Sequence, residues 1–291
     1  MDQFIQQIIN GLSIGSIYAL IALGYTMVYG IIKLINFAHG DILMVGAYVG
    51  YLCASAGLPF MPALLVSVAA CALLGMLTEK LAYKPLRNAP RITLLITAIG
   101  VSFLLEYLMM YIFKADSRSY PTDFFVTESI ELGSIHLPLN QLYVLGITVA
   151  MMIALQLIIK RTRMGRAMRA VSSDRDAAQL MGVNVNQTIS FTFILGSALA
   201  GVAGVMYGAM FKINPLMGMQ PGLKAFIAAV FGGIGSIPGA MVGGLLLGFI
   251  ETMVSAYISS AFKDAVAFAI LIIVLLVRPH GLLGKDTREK V

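Results

Sequence analysis

Charged residues are scarce in this sequence: Asp, Glu, Lys and Arg make up 12% of the 291 residues, whereas 59% are hydrophobic. The mean hydropathy is +0.88, and a soluble domain has no interior large enough to bury so much apolar surface. This excludes a soluble globular protein and makes lipid the solvent. The backbone must then form helices or a closed barrel. The apolar stretches are too long and too unbroken for barrel strands.

Several chemical features are also missing. Only two cysteines occur, Cys53 and Cys71, and both lie in apolar sequence, so no disulfide framework is implied. The nucleotide-binding motif Gly-x-x-x-x-Gly-Lys-Ser/Thr does not occur, since the nearest stretch, Gly284-Lys285, continues with Asp286. His-Glu-x-x-His and paired aspartates within one span are absent as well. These absences argue against a membrane-embedded enzyme and against ATP hydrolysis through that motif.

Long uncharged stretches predict an all-α, polytopic integral membrane protein with one transmembrane domain over residues 1–291. Residues 11–32 and 188–211 carry no charge, and each reaches the roughly 20 residues needed to cross the hydrocarbon core. Further spans are expected near 42–57, 62–82, 92–113, 142–159, 239–262 and 265–277, and a short apolar piece lies near 223–234. The sequence therefore predicts about eight or nine transmembrane or broken helices.

The cations lie between the apolar stretches and not over one globular surface. By the positive-inside rule these clusters mark cytoplasmic loops, whereas the polar loop at 114–141 has no basic excess and is expected outside. Counting back from that loop places the N-terminus outside and the C-terminus inside, which requires an odd number of crossings. The piece at 223–234 must then cross as a thin span, or it re-enters and the count is wrong. The three clusters are Lys80, Lys84, Arg87 and Arg91; Lys160, Arg161, Arg163, Arg166, Arg169 and Arg175; and Arg278, Lys285, Arg288 and Lys290.

Polar and glycine residues interrupt the apolar sequence at two places, 36–41 and 232–239. Irregular backbone at membrane depth occurs against protein or water, and transporters place it beside the substrate path, often in the two halves of an internal repeat. An inverted repeat is therefore possible here, and two ordinary interfacial turns are the alternative. The candidate residues of a substrate path are Asn36, Phe37, His39, Gly40, Gly233, Gly235 and Ser236.

Small residues recur at intervals of four in the span at 188–211. This spacing lines up one narrow face along which another helix can approach closely. We therefore predict a helix-packing role for Gly196, Ala200, Gly204 and Gly208.

Two acids, Glu106 and Glu251, fall within apolar spans, where an ionised carboxylate is costly. Because no basic partner within the membrane is evident, we expect each to form a hydrogen bond with a neighbouring helix, with a proton relay as the alternative. His39 could be a pH switch or a metal ligand, but no second His or Cys stands at metal spacing near it. A structural hydrogen bond is the preferred interpretation, and no metal site is predicted.

Residues 160–187 form a loop too polar for the membrane, with helix formers around 175–182. Ser172 or Ser173 could cap the start of a short helix, and Gly182 suits its end. Asp, Ala and Ala at 176–178, followed after three residues by Gly182, resemble the cytoplasmic coupling motif of ABC importer permeases, with Asp in place of the usual Glu. The resemblance implies contact with an ATPase for Asp174, Arg175, Asp176, Ala177, Ala178 and Gly182.

Further stretches extend the resemblance along nearly the whole chain. Residues 11–24, 36–40, 232–239 and 278–284 resemble the branched-chain amino acid ABC permease family. The resemblance implies an ABC importer permease fold in the bacterial inner membrane and alternating access as the mechanism. It also implies a second homologous permease subunit, two cytoplasmic ATPase subunits that carry ATP and Mg, and a periplasmic binding protein for leucine, isoleucine or valine. This chain itself is expected to bind no cofactor and no nucleic acid.

Two alternatives remain open for the transported solute and the energy source. Related permeases carry other small solutes, such as urea or short amides, and nothing in this sequence excludes them. A passive channel or a secondary carrier would need no ATPase.

Overall fold

The protein is a bundle of helices. The computed structural model describes residues 2–87, 89–125, 128–132 and 135–284, so Lys285, Arg288 and Lys290 of the third basic cluster lie outside the described residues. The helices are α1 (Asp2–Ile32), α2 (His39–Ser55), α3 (Phe60–Thr78, continued by a π-helical turn, Glu79–Tyr83), α4 (Arg91–Phe113), α5 (Leu139–Arg161), α6 (Arg163–Ser173), α7 (Arg175–Leu180), α8 (Val185–Met210), α9 (Met219–Gly232), α10 (Ile237–Tyr257) and α11 (Lys263–Val277), with short 3-10 turns at Thr122–Phe124 and Ser260–Phe262.

Each predicted span coincides with one helix. Seven helices are long and apolar enough to cross a membrane, namely α1, α3, α4, α5, α8, α10 and α11. The other two, α2 with 17 residues and α9 with 14, are shorter. The predicted span at 239–262 extends too far, because α10 ends at Tyr257 and the Ser259 hydroxyl accepts a hydrogen bond from the Ala261 amide in a new turn.

Burial differs strongly between the helices. The apolar window of α1 is 78% buried and that of α8 72%, whereas only 6% of the window of α11 is buried. Helices α1 and α8 therefore form the interior, and α3, α4, α5 and α11 present apolar side chains outward. This is the expected arrangement for a bundle whose solvent is lipid.

The directions of the helices follow from which residues meet. Gly11 of α1 lies against Thr252 of α10, and Ala19 lies against Gly244, so α1 and α10 are antiparallel. At the other end of α10, Gly239 meets Gly232, the last residue of α9. The C-terminal segment lies at this same end, because the Leu283 amide donates to the Gly232 carbonyl over 2.9 Å.

The start of α1 and the C-terminal segment, residues 278–284, therefore lie at opposite faces of the bundle. Helix α9 runs between those faces antiparallel to α10, although it has only 14 residues. Of the eleven α-helices in the described part of the chain, α6 and α7 are short and polar, which leaves nine that run between the faces. The thin-span alternative for 223–234 is the one that agrees with this structure.

One face of the bundle gathers the basic residues, and we call it the basic face. A buried apolar cluster there contains Val28 of α1, Tyr83 after α3, Leu94 of α4, Ala178 of α7 and Ile189 of α8. The ends of α1 and α3 and the starts of α4 and α8 thus meet beside α7. The clusters at 80–91 and 160–175 lie on this face.

The loop at 114–141 lies on the opposite face and contains more structure than the sequence indicated. A two-stranded antiparallel hairpin joins β1 (Ser129–Leu132) to β2 (Ile135–Pro138). The backbones of Arg118 and Ile213 exchange two hydrogen bonds of 2.8 Å each. The loop is thereby fastened to the segment between α8 and α9.

The small residues of α8 allow backbones to approach. Gly196 faces Gly24 of α1, and a methyl group added at Gly204 would overlap the carbonyl oxygen of Leu43 in α2. Ala200 is fully buried. A methyl group at Gly208 would overlap the ring of Tyr120 from the outer loop. The Tyr120 hydroxyl donates to the Ala47 carbonyl over 2.6 Å, and burial raises the pKa of this phenol above its ordinary value.

Both sequence breaks lie between a helix that runs toward the basic face and one that runs away from it. The first joins α1 to α2, which runs parallel to α8 because Gly46 meets Gly201 and Gly50 meets Val205. The second joins α9 to α10. The inverted repeat stays a prediction.

Candidate functional site

Helix α7 is held by a side-chain cap at its start. Asp174 Oδ1 accepts hydrogen bonds from the amides of Asp176 and Ala177, both 2.9 Å long. The prediction that Ser172 or Ser173 caps the helix is wrong, because both serines belong to α6. Asp174 has the extended backbone, φ −155° and ψ 116°, that an N-cap position requires.

The two sides of α7 differ sharply in exposure. Ala178 is 4% exposed and belongs to the buried cluster of the basic face, whereas Leu180 is 88% exposed and Met181 84%. Gly182 follows with φ +82°, the left-handed conformation that ends many helices. Beside it, Arg175 and Gly182 line a groove of about 490 Å³. Leu180 at the end of α7 and Met181 just after it thus present two large apolar side chains on an otherwise polar surface.

An ion pair anchors the neighbouring loop to the same region. The guanidinium of Arg87 pairs with Glu79, which is fully buried, and also donates to Asn186 near the start of α8. Burial lowers the pKa of Arg87, while the Glu79 charge opposes this effect. The Ser190 hydroxyl donates to the second Glu79 oxygen over 2.6 Å. The end of α3 is therefore fixed to α8 beside α7.

The first break is buried and tightly packed. Asn36 accepts a hydrogen bond of 2.8 Å from the Tyr83 hydroxyl. His39 stacks edge-on against Tyr25 at 4.9 Å between ring centres, and its Nε2 atom has no hydrogen-bond partner among the described residues. Gly40 lies against Gly218 at the start of α9. This backbone is in contact with protein and does not form an interfacial turn.

Asp41, the last residue of this break, was not among the predicted site residues. Asp41 is 2% exposed, and one of its oxygens accepts a hydrogen bond from the Ser102 hydroxyl of α4. It lines a cavity of about 280 Å³ between α1, α2, α4 and α9, which we call the Asp41 cavity. Phe37 and Glu106 also line it. Because the lining of the cavity comes from four separate helices and the segments that connect them, the sequence alone could not reveal it. The position of Asp41 in a polar break was the one sequence feature that pointed to this residue.

The second break has different surroundings. Gly233 and Gly235 adopt φ +109° and +91°, and Ser236 caps α10 by accepting a hydrogen bond from the Gly239 amide over 3.2 Å. The Leu282 amide of the C-terminal segment donates to the Phe231 carbonyl over 2.9 Å. This break is therefore packed against the C-terminal segment, and the first break against α3 and α9. A path role for Gly233, Gly235 and Ser236 stays a prediction.

Glu251 has a basic partner within the bundle, contrary to the prediction that it has none. Lys224 Nζ lies 3.0 Å from the Glu251 carboxylate and 2.7 Å from Asp264 Oδ1. The Tyr18 hydroxyl donates to Glu251 over 3.1 Å. Lys224 lies within the short apolar piece predicted at 223–234 and is the one charged residue of that piece. It is therefore the basic partner within the membrane that the prediction for Glu251 missed. The network lines a cavity of about 550 Å³ that also contains Gln7, near the outer end of α1.

Comparison with known proteins gives matches along the whole bundle. Residues 7–275 match the family described as branched-chain amino acid transport system, permease component. The chain is 44% identical to the high-affinity branched-chain amino acid transport system permease protein LivH of Escherichia coli (strain K12), over 99% of this chain and 98% of that protein. It is also 44% identical to the corresponding permease protein BraD of Pseudomonas aeruginosa, with the same coverage. A probable LivH of Methanocaldococcus jannaschii is 30% identical, over 94% of this chain and 90% of that protein.

Proposed function

Because this chain belongs to the branched-chain amino acid transport permease family, we propose that it translocates leucine, isoleucine and valine as the membrane subunit of an ATP-binding cassette importer. The membrane is the cell inner membrane, and the basic face is cytoplasmic. The partners are a second homologous permease subunit, two cytoplasmic ATPase subunits that bind ATP and Mg, and a periplasmic amino-acid-binding protein. Substrate moves by alternating access, as the ATPases reorient the helices around a central path.

The observation that carries this proposal is the seating of α7. Leu180 and Met181 protrude from the basic face, while Ala178, less than one turn away, is buried beside the ends of α1, α3 and α8. An ATPase subunit that holds the two exposed side chains therefore moves a helix in direct contact with the membrane bundle. Because packed interiors do not deform smoothly, such a displacement passes to the helix ends.

The test is reconstitution of the complete importer in proteoliposomes. Replacing Leu180 and Met181 together by Glu should abolish co-purification of the ATPase subunits and ATP-dependent leucine uptake, because charged side chains do not enter an apolar contact. The matched control is Phe262→Glu, which makes the same chemical change at an exposed position, 59% accessible, on the opposite face. The control should retain ATPase binding.

Three results would contradict the proposal. Leucine uptake by the chain without ATPase subunits would indicate a passive channel or a secondary carrier. Unchanged uptake in the double variant would remove the coupling role of α7. Uptake of urea or acetamide, with no uptake of leucine, isoleucine or valine, would assign a different solute.

A further inference from the structure

The Asp41 cavity is lined by two buried acids, Asp41 and Glu106. One Asp41 oxygen is bound by Ser102, and Oδ1 has no hydrogen-bond partner among the described residues although the side chain is 2% exposed. Glu106 lies one helical turn after Ser102 on α4 and is 7% exposed. The described residues that line the cavity include no Lys or Arg. Buried carboxylates without a cation are costly, so the cavity is complementary to a positively charged group.

The remaining walls are apolar and aromatic. Phe37 and Phe226 lie 6.2 Å apart between ring centres, and Tyr25 packs edge-on against Phe226 at the same distance. Leu223 of α9 completes this side. Phe103 of α4, which is 53% exposed, also lines the cavity. Such walls fit a short branched aliphatic chain.

The start of α9 contributes a third feature. Gly218 and Met219 line the cavity, and Gly218 lies directly against Asp41 Oδ1. The first amides of a helix have no acceptor within that helix, and its N-terminal end carries a partial positive charge. Half-helices of this kind face anionic substrate groups in other transporters. The cavity therefore offers negative, apolar and weakly positive walls within one small volume.

We propose that the Asp41 cavity is a transit subsite for the amino acid, in which Asp41 and Glu106 bind the α-ammonium group. The branched side chain packs against Phe37 and Phe226, and the α-carboxylate faces the start of α9. This inference rests on the proposed function. It assigns recognition of the charged amino group to the permease itself, in addition to the binding protein.

A binding experiment tests the subsite apart from transport. The probe is isopentylamine, which has the ammonium group and the branched chain of leucine, added to the purified importer without its binding protein. A ligand that binds only the folded state raises the melting temperature. Isopentylamine should do so, whereas the uncharged isopentyl alcohol and the anionic isocaproate should not. An equal shift with the alcohol would overturn the proposal.

Neutral variants of the two acids locate the effect. Asp41→Asn and Glu106→Gln should each weaken isopentylamine binding about tenfold or more, the change expected when a hydrogen bond to a charged group is lost. The matched control Asp116→Asn makes the same change on the exposed outer loop and should bind as the unaltered protein does. Because Asp41 is fully buried, Glu106→Gln supplies the result if Asp41→Asn does not assemble.

Uptake measurements separate the two proposals. If the unaltered importer shows no ATP-dependent leucine uptake, the proposed function itself fails. If it transports leucine, and Glu106→Gln transports and binds isopentylamine equally well, the subsite fails while the function stands. The expected result is slower leucine uptake together with weaker isopentylamine binding in Glu106→Gln.

Discussion

Lys224 of α9 connects three helices, since its ammonium group contacts Glu251 of α10 and Asp264 of α11. Replacing it by Met leaves the buried Glu251 carboxylate without a counter-charge, a change that typically costs about 3–5 kcal/mol. We expect a clear fall in the melting temperature of the purified protein. Lys212→Met, at an exposed loop position, is the control and should melt normally.

A second variant tests whether Lys224 stabilises the protein through its ion pair with Glu251 or independently of it. Lys224→Met combined with Glu251→Gln removes both charges, so the double variant should recover part of the lost stability. If the effects of the two substitutions on the melting temperature simply add, Lys224 and Glu251 do not stabilise the protein through their ion pair.

At Gly204 the backbones of α8 and α2 approach each other closely. A methyl group there would overlap the Leu43 carbonyl oxygen and crowd the Ala47 amide, which stands 2.8 Å away. Because both are backbone atoms, the helices must separate, and overpacking of this kind typically costs about 1–3 kcal/mol. Gly204→Ala should lower the melting temperature. The matched control is Gly146→Ala on α5, where a methyl group meets no atom within 4 Å; equal effects of the two changes would contradict this account.

Helix α7 depends on its ending as well as on its cap. Gly182 has φ +82° and open space around its Cα, so strain and not crowding limits substitution there. Asn tolerates this conformation, whereas a β-branched residue does not. We expect Gly182→Asn to keep ATP-dependent leucine uptake and Gly182→Val to reduce it severalfold. Reduced uptake in both, or in neither, would show that the turn geometry does not matter.

The membrane helices could be predicted from sequence because the length and apolarity of a span are local properties. Helix α9 was less certain, since 14 residues fall short of a normal span; it crosses because tertiary packing against α10 and the C-terminal segment supplies its surroundings. The same applies to Asn36 and Asp41. Their polarity is visible in sequence, but their partners, Tyr83 and Ser102, lie on other helices.

The short helix of the polar loop was predicted at the correct place, yet its cap was assigned to the wrong residue. Serine and aspartate have similar N-cap preferences, so composition alone could not decide between Ser173 and Asp174. The decision rests on where α6 ends, and α6 includes Ser173. The outer hairpin was missed for a related reason: its two strands have only four residues each, too few for an alternating pattern to stand out.

The arrangement of all nine crossing helices leads to one strict prediction about sidedness. The start of α1 and the C-terminal segment lie at opposite faces, and α9 must cross for this to hold. In a background with Cys53 and Cys71 replaced by Ser, single cysteines at Gln3 and Gln220 should react with a membrane-impermeant maleimide added to intact cells. Cysteines at Gln179 and Leu283 should react only after permeabilisation. All four positions are exposed, so differences in labelling report the side of the membrane.

The labelling pattern distinguishes the crossing from a re-entrant α9. If α9 entered and left the membrane on the same face, α10 would cross in the opposite direction and the C-terminal segment would lie outside. Leu283 would then react in intact cells while Gln179 would not. Reaction of Gln179 from outside would instead invert the basic face and remove α7 from the reach of any cytoplasmic ATPase. The expected result, Gln3 and Gln220 outside with Gln179 and Leu283 inside, follows from an odd number of crossings and from the basic residues that gather beside α7.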